Sequence, residues 1–95
     1  MTDTQLLIGS LSNDLFRVAS LTQRGSNQAA ARFLHEAKRW SNSIQDHKVP
    51  PYIKSIAEKI SDYKEEHFDL ETAEKYLMYA VLLQNYSLHQ MENQN

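Results

Sequence analysis

Cysteine is absent from this 95-residue chain, and glycine and proline occur only twice each. Without cysteine there is no disulfide framework, no Cys-ligated zinc, no iron–sulfur cluster and no thiol nucleophile; the composition suits a reducing compartment, and a cytoplasmic location is the expectation. So few glycines and prolines leave little to punctuate a many-stranded sheet, whereas a handful of long helices needs few corners. Long apolar runs are missing too. The longest, Tyr76 to Leu83, covers eight residues, well short of the roughly 20 that span a bilayer, so no membrane association is expected. No lysine or arginine precedes the short apolar stretch in the opening MTDTQLLIGSLS, which argues against a secretory signal or transit peptide.

What is present has the balance of an ordinary globular domain, with 41% hydrophobic and 23% charged residues, and a single domain over residues 1–95 is expected. The net charge of −2 conceals an asymmetry: residues 1–50 carry six basic and four acidic side chains, residues 51–95 four basic and eight acidic. The whole chain therefore has no general drive toward nucleic acid, although its first half is mildly basic.

Apolar spacing of three and four residues predicts four helices. The first covers about residues 4–23, with Ile8, Leu11, Leu15 and Val18 on one face, Leu7 and Leu21 widening it, and Ser10, Ser12, Asn13, Asp14 and Arg17 on the wet side. Gly9 lies inside it and weakens it by about 1 kcal/mol relative to alanine, so a late or frayed start is expected. Gly25 suits a left-handed helix end, and Ser26 suits an amino-terminal cap for the second helix, residues 27–45. There Ala30, Phe33, Leu34, Ala37, Trp40 and Ile44 form the apolar face. Pro50 and Pro51 break the pattern, and Pro51 opens a third helix over 51–66 with Ile53, Ile56, Ala57, Ile60 and Tyr63 inside. Asp69 caps a fourth helix over 70–91, and residues 92–95 read as a frayed polar tail. Short corners between helices of similar length predict an all-α, four-helix antiparallel bundle of up-down-up-down topology.

The fourth helix is apolar on every side from Tyr76 to Leu83, and such a helix needs cover on every side. If Ala73, Leu77, Ala80, Val81 and Leu88 face the bundle, a second stripe remains: Tyr76, Tyr79, Leu83 and Tyr86. That stripe is either further core or an interface, and the enrichment of tyrosine and methionine at protein contacts makes it the candidate interface, with a symmetric homodimer or a helical partner protein the expected occupant.

On the second helix, Arg32, His35 and Arg39 share a face with Lys38 beside them, a candidate anion-binding row that Arg24 could extend. Three or four cations without interleaved aromatics fall short of a nucleic-acid footprint, so an accessory nucleic-acid role is the alternative and not the favoured reading. His35, His47, His67 and His89 include no pair three or four residues apart and no Glu-x-x-His sequence, so neither metal nor cofactor is expected. Glu65, Glu66, Asp69, Glu71 and Glu74 around His67 read as a solvated acidic turn. No glycine-rich phosphate loop or nucleophile elbow occurs, and the Arg-x-x-x-x-His spacing of one class of helical ribonucleases is missing; no catalytic residue is expected.

The segment Val49-Pro50-Pro51-Tyr52-Ile53, leading into an amphipathic helix, resembles part of the bacteriocin immunity proteins, which are four-helix bundles of this size. The resemblance is short and rests on proline and spacing; it implies a bundle that binds a partner protein. The leading expectation is a non-catalytic interaction or regulatory module that self-associates through the tyrosine face of the fourth helix.

Overall fold

The computed structural model describes residues 2–63 and 68–92, the last three of these by backbone alone. Four helices occupy Asp3–Gln23 (α1), Asn27–Ile44 (α2), Pro51–Ser61 (α3) and Leu70–Glu92 (α4). Helix α1 packs closely on both α2 and α4, and α2 packs on α3, so α1 is the element on which the bundle is assembled.

Helix α1 starts earlier and more firmly than Gly9 suggests. Thr2 and Gln5 form a capping box: Thr2 Oγ1 accepts from the Gln5 amide at 3.1 Å, and Gln5 Oε1 accepts from the Thr2 amide at 2.9 Å. Two amides that the helix leaves without intrahelical partners are thereby satisfied together. At the other end Gly25 has φ +77°, the left-handed conformation that glycine adopts without steric cost. The Gly25 amide donates to the Thr22 carbonyl at 3.0 Å and the Ser26 amide to the Leu21 carbonyl at 2.8 Å, the paired bonds of a Schellman ending. Ser26 occupies the cap position of α2, yet its hydroxyl accepts no amide there. Its backbone ψ of 64° lies outside the extended region that aims a cap side chain along the helix.

The proline corner works as the spacing predicts: Pro51 opens α3, and the Ile53 and Lys54 amides both donate to the Pro50 carbonyl at 3.1 Å. The helix closes at Ser61, before the expected end at residue 66, and the expected extension across 64–66 lies outside the described residues. Contacts from α2 and α4 hold this end: the Lys38 ammonium donates to the Tyr63 carbonyl, the Gln45 side-chain amide just past α2 donates to the Ser61 hydroxyl at 3.2 Å, and the Tyr63 ring meets the Tyr76 ring edge-on at 5.9 Å. Asp69 caps α4 as its chemistry suggests, with Oδ1 accepting from the Thr72 amide at 2.8 Å.

Contacts across the bundle give its sense. Ser12 touches Ala80, and Gly9 lies beside Ser87; Asp14 meets Trp40, and Arg17 meets Phe33; Tyr52, Lys59 and Tyr63 meet Tyr86, Tyr79 and Tyr76 in that order. In every set a rising number on one helix meets a falling number on its neighbour. The α1–α4 crossing is lined by small residues, Gly9, Ser12, Ala80 and Ser87, and the Ser12 hydroxyl donates to the Ala80 carbonyl at 2.7 Å. Ser12 is therefore buried rather than on the wet side of α1, because an accepting carbonyl of the facing helix lies within its reach. The α3–α4 seam is wider and is filled by tyrosine rings.

Candidate functional site

The two stripes of α4 exchange places relative to the expectation. Tyr76, Tyr79 and Leu83 are only 1, 6 and 0% exposed, and Tyr86 is half-buried. Each ring has a neighbour on α3 or at its end: Tyr63 against Tyr76, the Lys59 ammonium 6.0 Å from the Tyr79 ring centre, and Tyr52 edge-on to Tyr86 at 6.3 Å. Burial, and then the neighbouring Tyr52, push the Tyr86 phenol above its usual range. The tyrosine stripe is thus the filling of the seam between α3 and α4, and it is not a surface open to a second molecule. Aromatic side chains suit this place because the α3 backbone stands farther from α4 than α1 does, and large rings span the gap.

The residues left outside are Leu77, Met78, Val81 and Leu82, exposed by 39, 53, 40 and 39%. They lie on adjacent turns of one helix, with Leu70 and Leu88 exposed farther along the same side. Ala73 and Ala80 do face the bundle, whereas Leu77, Val81 and Leu88 do not. A signal for this was present over the full length of α4. Glu71, Glu74, Lys75 and His89 all lie on the Leu77 and Met78 side, while the stripe through Ala73, Tyr76, Ala80, Leu83 and Ser87 carries no charge. A reading confined to the eight apolar residues could not see it.

The candidate anion-binding row of α2 is only partly available. Arg32, His35 and Arg39 are exposed, but Lys38 is half-buried and its ammonium is engaged at the end of α3. With Arg24, which is also exposed at the α1–α2 corner, four side chains remain, still few for a nucleic-acid footprint. Among the described residues no group of three or more His, Asp or Glu side chains is placed to hold a metal ion. The acidic turn around His67 lies in part outside the described residues.

The position that sequence patterning misplaced most is Asp14, assigned to the wet side of α1 and in fact 5% exposed. Its Oδ2 accepts from the Trp40 indole at 3.0 Å. Burial, followed by the Glu36 charge, raises its pKa from 3.8 to about 6, and a hydrogen bond with Glu36 adds to the rise; the indole bond and the Arg17 charge pull the other way. Beside Asp14 on the chain, the Arg17 guanidinium lies 5.1 Å from the Phe33 ring centre. These contacts form a polar joint between α1 and α2. A carboxyl titrating near neutrality is a possible acid or base, but this one is covered by Trp40, and it does not line the adjoining depression formed by Glu36, Arg39, Trp40, Asn42 and Ser43. Its geometry serves helix joining. Helical periodicity gave no sign of it, because a carboxylate one step from the apolar face reads as solvated until a tryptophan is placed over it.

No protein-family model, curated protein or solved structure matches this chain significantly.

Proposed function

We propose that this protein is a non-catalytic interaction module that self-associates through the outer face of α4. The observation that carries the reading is the contiguous group Leu77, Met78, Val81 and Leu82, four large apolar side chains left substantially open on two turns of one helix. Single exposed apolar residues are ordinary on any protein, whereas a contiguous patch marks a contact surface. Methionine at its centre favours contact further, since its flexible thioether adapts to an opposing surface. The tyrosine stripe supports this role indirectly, by fixing α4 in the bundle so that the opposite side stays outside.

Light scattering coupled to size exclusion tests the reading. The wild-type chain is expected above its one-chain mass of 11.0 kDa, with the excess falling on dilution. The double substitution Leu77→Glu with Val81→Glu is expected to return it to one chain with unchanged helicity by circular dichroism. A wild type that stays at 11.0 kDa at the highest accessible concentration refutes self-association.

A further inference from the structure

The exposed side of α4 consists of two parallel stripes. One runs Leu70, Glu74, Leu77, Val81, Gln84, Leu88 and the other Glu71, Lys75, Met78, Leu82, Asn85, His89, all twelve exposed. Each advances by four, three, four, three and four residues, the spacing of a helix seam that packs on another helix. The first stripe is nearly the same read in either direction: apolar, polar, apolar, apolar, polar, apolar. From this self-complementarity, resting on the self-association proposed above, we infer that the occupant of the face is the α4 of a second copy of this chain, packed antiparallel about a twofold axis that passes near residues 79 and 80.

In that register Leu70 meets Leu88 of the second copy, Leu77 meets Val81, and Glu74 meets Gln84. On the second stripe Met78 meets Leu82, Lys75 meets Asn85, and Glu71 meets His89. Every apolar side chain finds an apolar partner, every polar one finds a polar partner, and no like charges face each other. A parallel twofold pairing in register would instead set each stripe against the other stripe of the second copy, so that Leu70 meets Glu71 and Leu88 meets His89, apolar-to-polar mismatches that the antiparallel register avoids. The antiparallel arrangement also sets the positive amino-terminal end of each α4 beside the negative carboxyl-terminal end of the other. A twofold interface is isologous, so a nearly palindromic stripe is the pattern it requires.

The neighbouring helices widen the contact. Tyr52 on α3 touches Tyr86, Gly9 on α1 lies beside Ser87, and both Tyr52 and Leu6 are exposed. These two side chains stand at the Leu88 end of α4, where the twofold brings the Leu70 end of the second copy. A depression lined by Glu71, Thr72, Glu74, Lys75 and Met78 lies opposite Leu82 and Asn85 of that copy and would receive them. With α4 about 34 Å long at 1.5 Å per residue, the shared surface is at the small end for specific complexes, and a weak, concentration-dependent dimer is expected.

The absence of cysteine makes the register directly testable. Leu70→Cys and Leu88→Cys are both exposed replacements that leave the core intact. Treated with a short bis-maleimide linker, each variant alone is expected to give little cross-linked dimer. An equal mixture of the two is expected to give several-fold more, as 70-to-88 heterodimer identified by mass spectrometry of the linked peptides. Strong 70-to-70 and 88-to-88 linkage, with none between 70 and 88, would overturn the antiparallel register while leaving self-association intact. Linkage in no sample despite a dimeric mass would place the contact elsewhere and overturn the inference. A one-chain mass would remove both this inference and the reading beneath it. A charge exchange gives independent support: Glu71→Lys is expected to weaken the dimer several-fold, and adding His89→Glu to the same chain is expected to restore it, an outcome that only the antiparallel pairing produces.

Discussion

On the inner side of α4, Tyr76, Tyr79 and Leu83 are enclosed, whereas on the outer side Leu77, Met78, Val81 and Leu82 stand open. The two groups alternate along the same two turns, and the open one, three aliphatic side chains and a methionine, is the more apolar of the two, so apolar character alone did not choose between them. The choice came from what each group meets. Gly9 and Ser12 let α1 approach α4 until the Ser12 hydroxyl reaches the Ala80 carbonyl at 2.7 Å, which turns the Ala80 and Leu83 side inward. Tyr52 on α3 and Tyr63 just beyond its end then pair with Tyr86 and Tyr76 across the wider seam. Charge confirms the orientation from outside, because burying the other side would take Glu71, Glu74 and Lys75 out of water without partners, a cost far above that of leaving four apolar side chains exposed.

The largest expected break in this comparison is Leu83→Ala, which removes a fully enclosed side chain and is expected to cost about 2–5 kcal/mol of stability. Leu82→Ala, one residue away on the open side, is expected to change the stability of the dilute chain by less than about 0.5 kcal/mol. Denaturant midpoints at low concentration check both, and equal costs would mean that the two faces are not distinct.

The next effect belongs to the joint between α1 and α2. Asp14 holds its proton more tightly in the folded chain, at about 6 against an ordinary 3.8. Its contribution to stability is therefore complete below about pH 4 and is lost as pH rises through about 6, a change on the order of 2 kcal/mol. Urea unfolding followed by the emission of Trp40, the only tryptophan of the chain, reads this dependence at the site. Asp14→Asn is expected to flatten it. A stability that instead rises between pH 4 and 6, and does so equally in the variant, would show that Asp14 is not coupled to folding in this way.

The smallest effect is at Gly9, where an added Cβ would meet only Ser87 Oγ at 3.9 Å, an ordinary contact. Gly9→Ala is expected to stabilise the chain by about 0.5–1 kcal/mol through helix propensity and backbone entropy. A loss of stability would show that the α1–α4 crossing is tighter than that distance implies.

The local features were largely legible. The Gly25 ending, the Pro51 start and the Asp69 cap each depend on one or two residues and their immediate backbone, and each formed as its chemistry predicts. The Thr2 and Gln5 capping box has a local signature too, Thr-x-x-Gln before an apolar pattern, and it offsets the weakening that Gly9 brings to the same helix. Ser26 had the right side chain for a cap and failed through its backbone angle, which the preceding Schellman turn sets.

By itself, then, the sequence determined four helices, their order and most of their ends, because periodicity and capping act within a few residues. Tertiary structure decided which side of α4 is inside, that Lys38 is spent on the end of α3, and that Ser12 and Asp14 are buried. These outcomes depend on contacts with residues 25 to 68 positions away in the chain, and a helix apolar on all sides carries no mark, within its own two turns, of which neighbour will cover it.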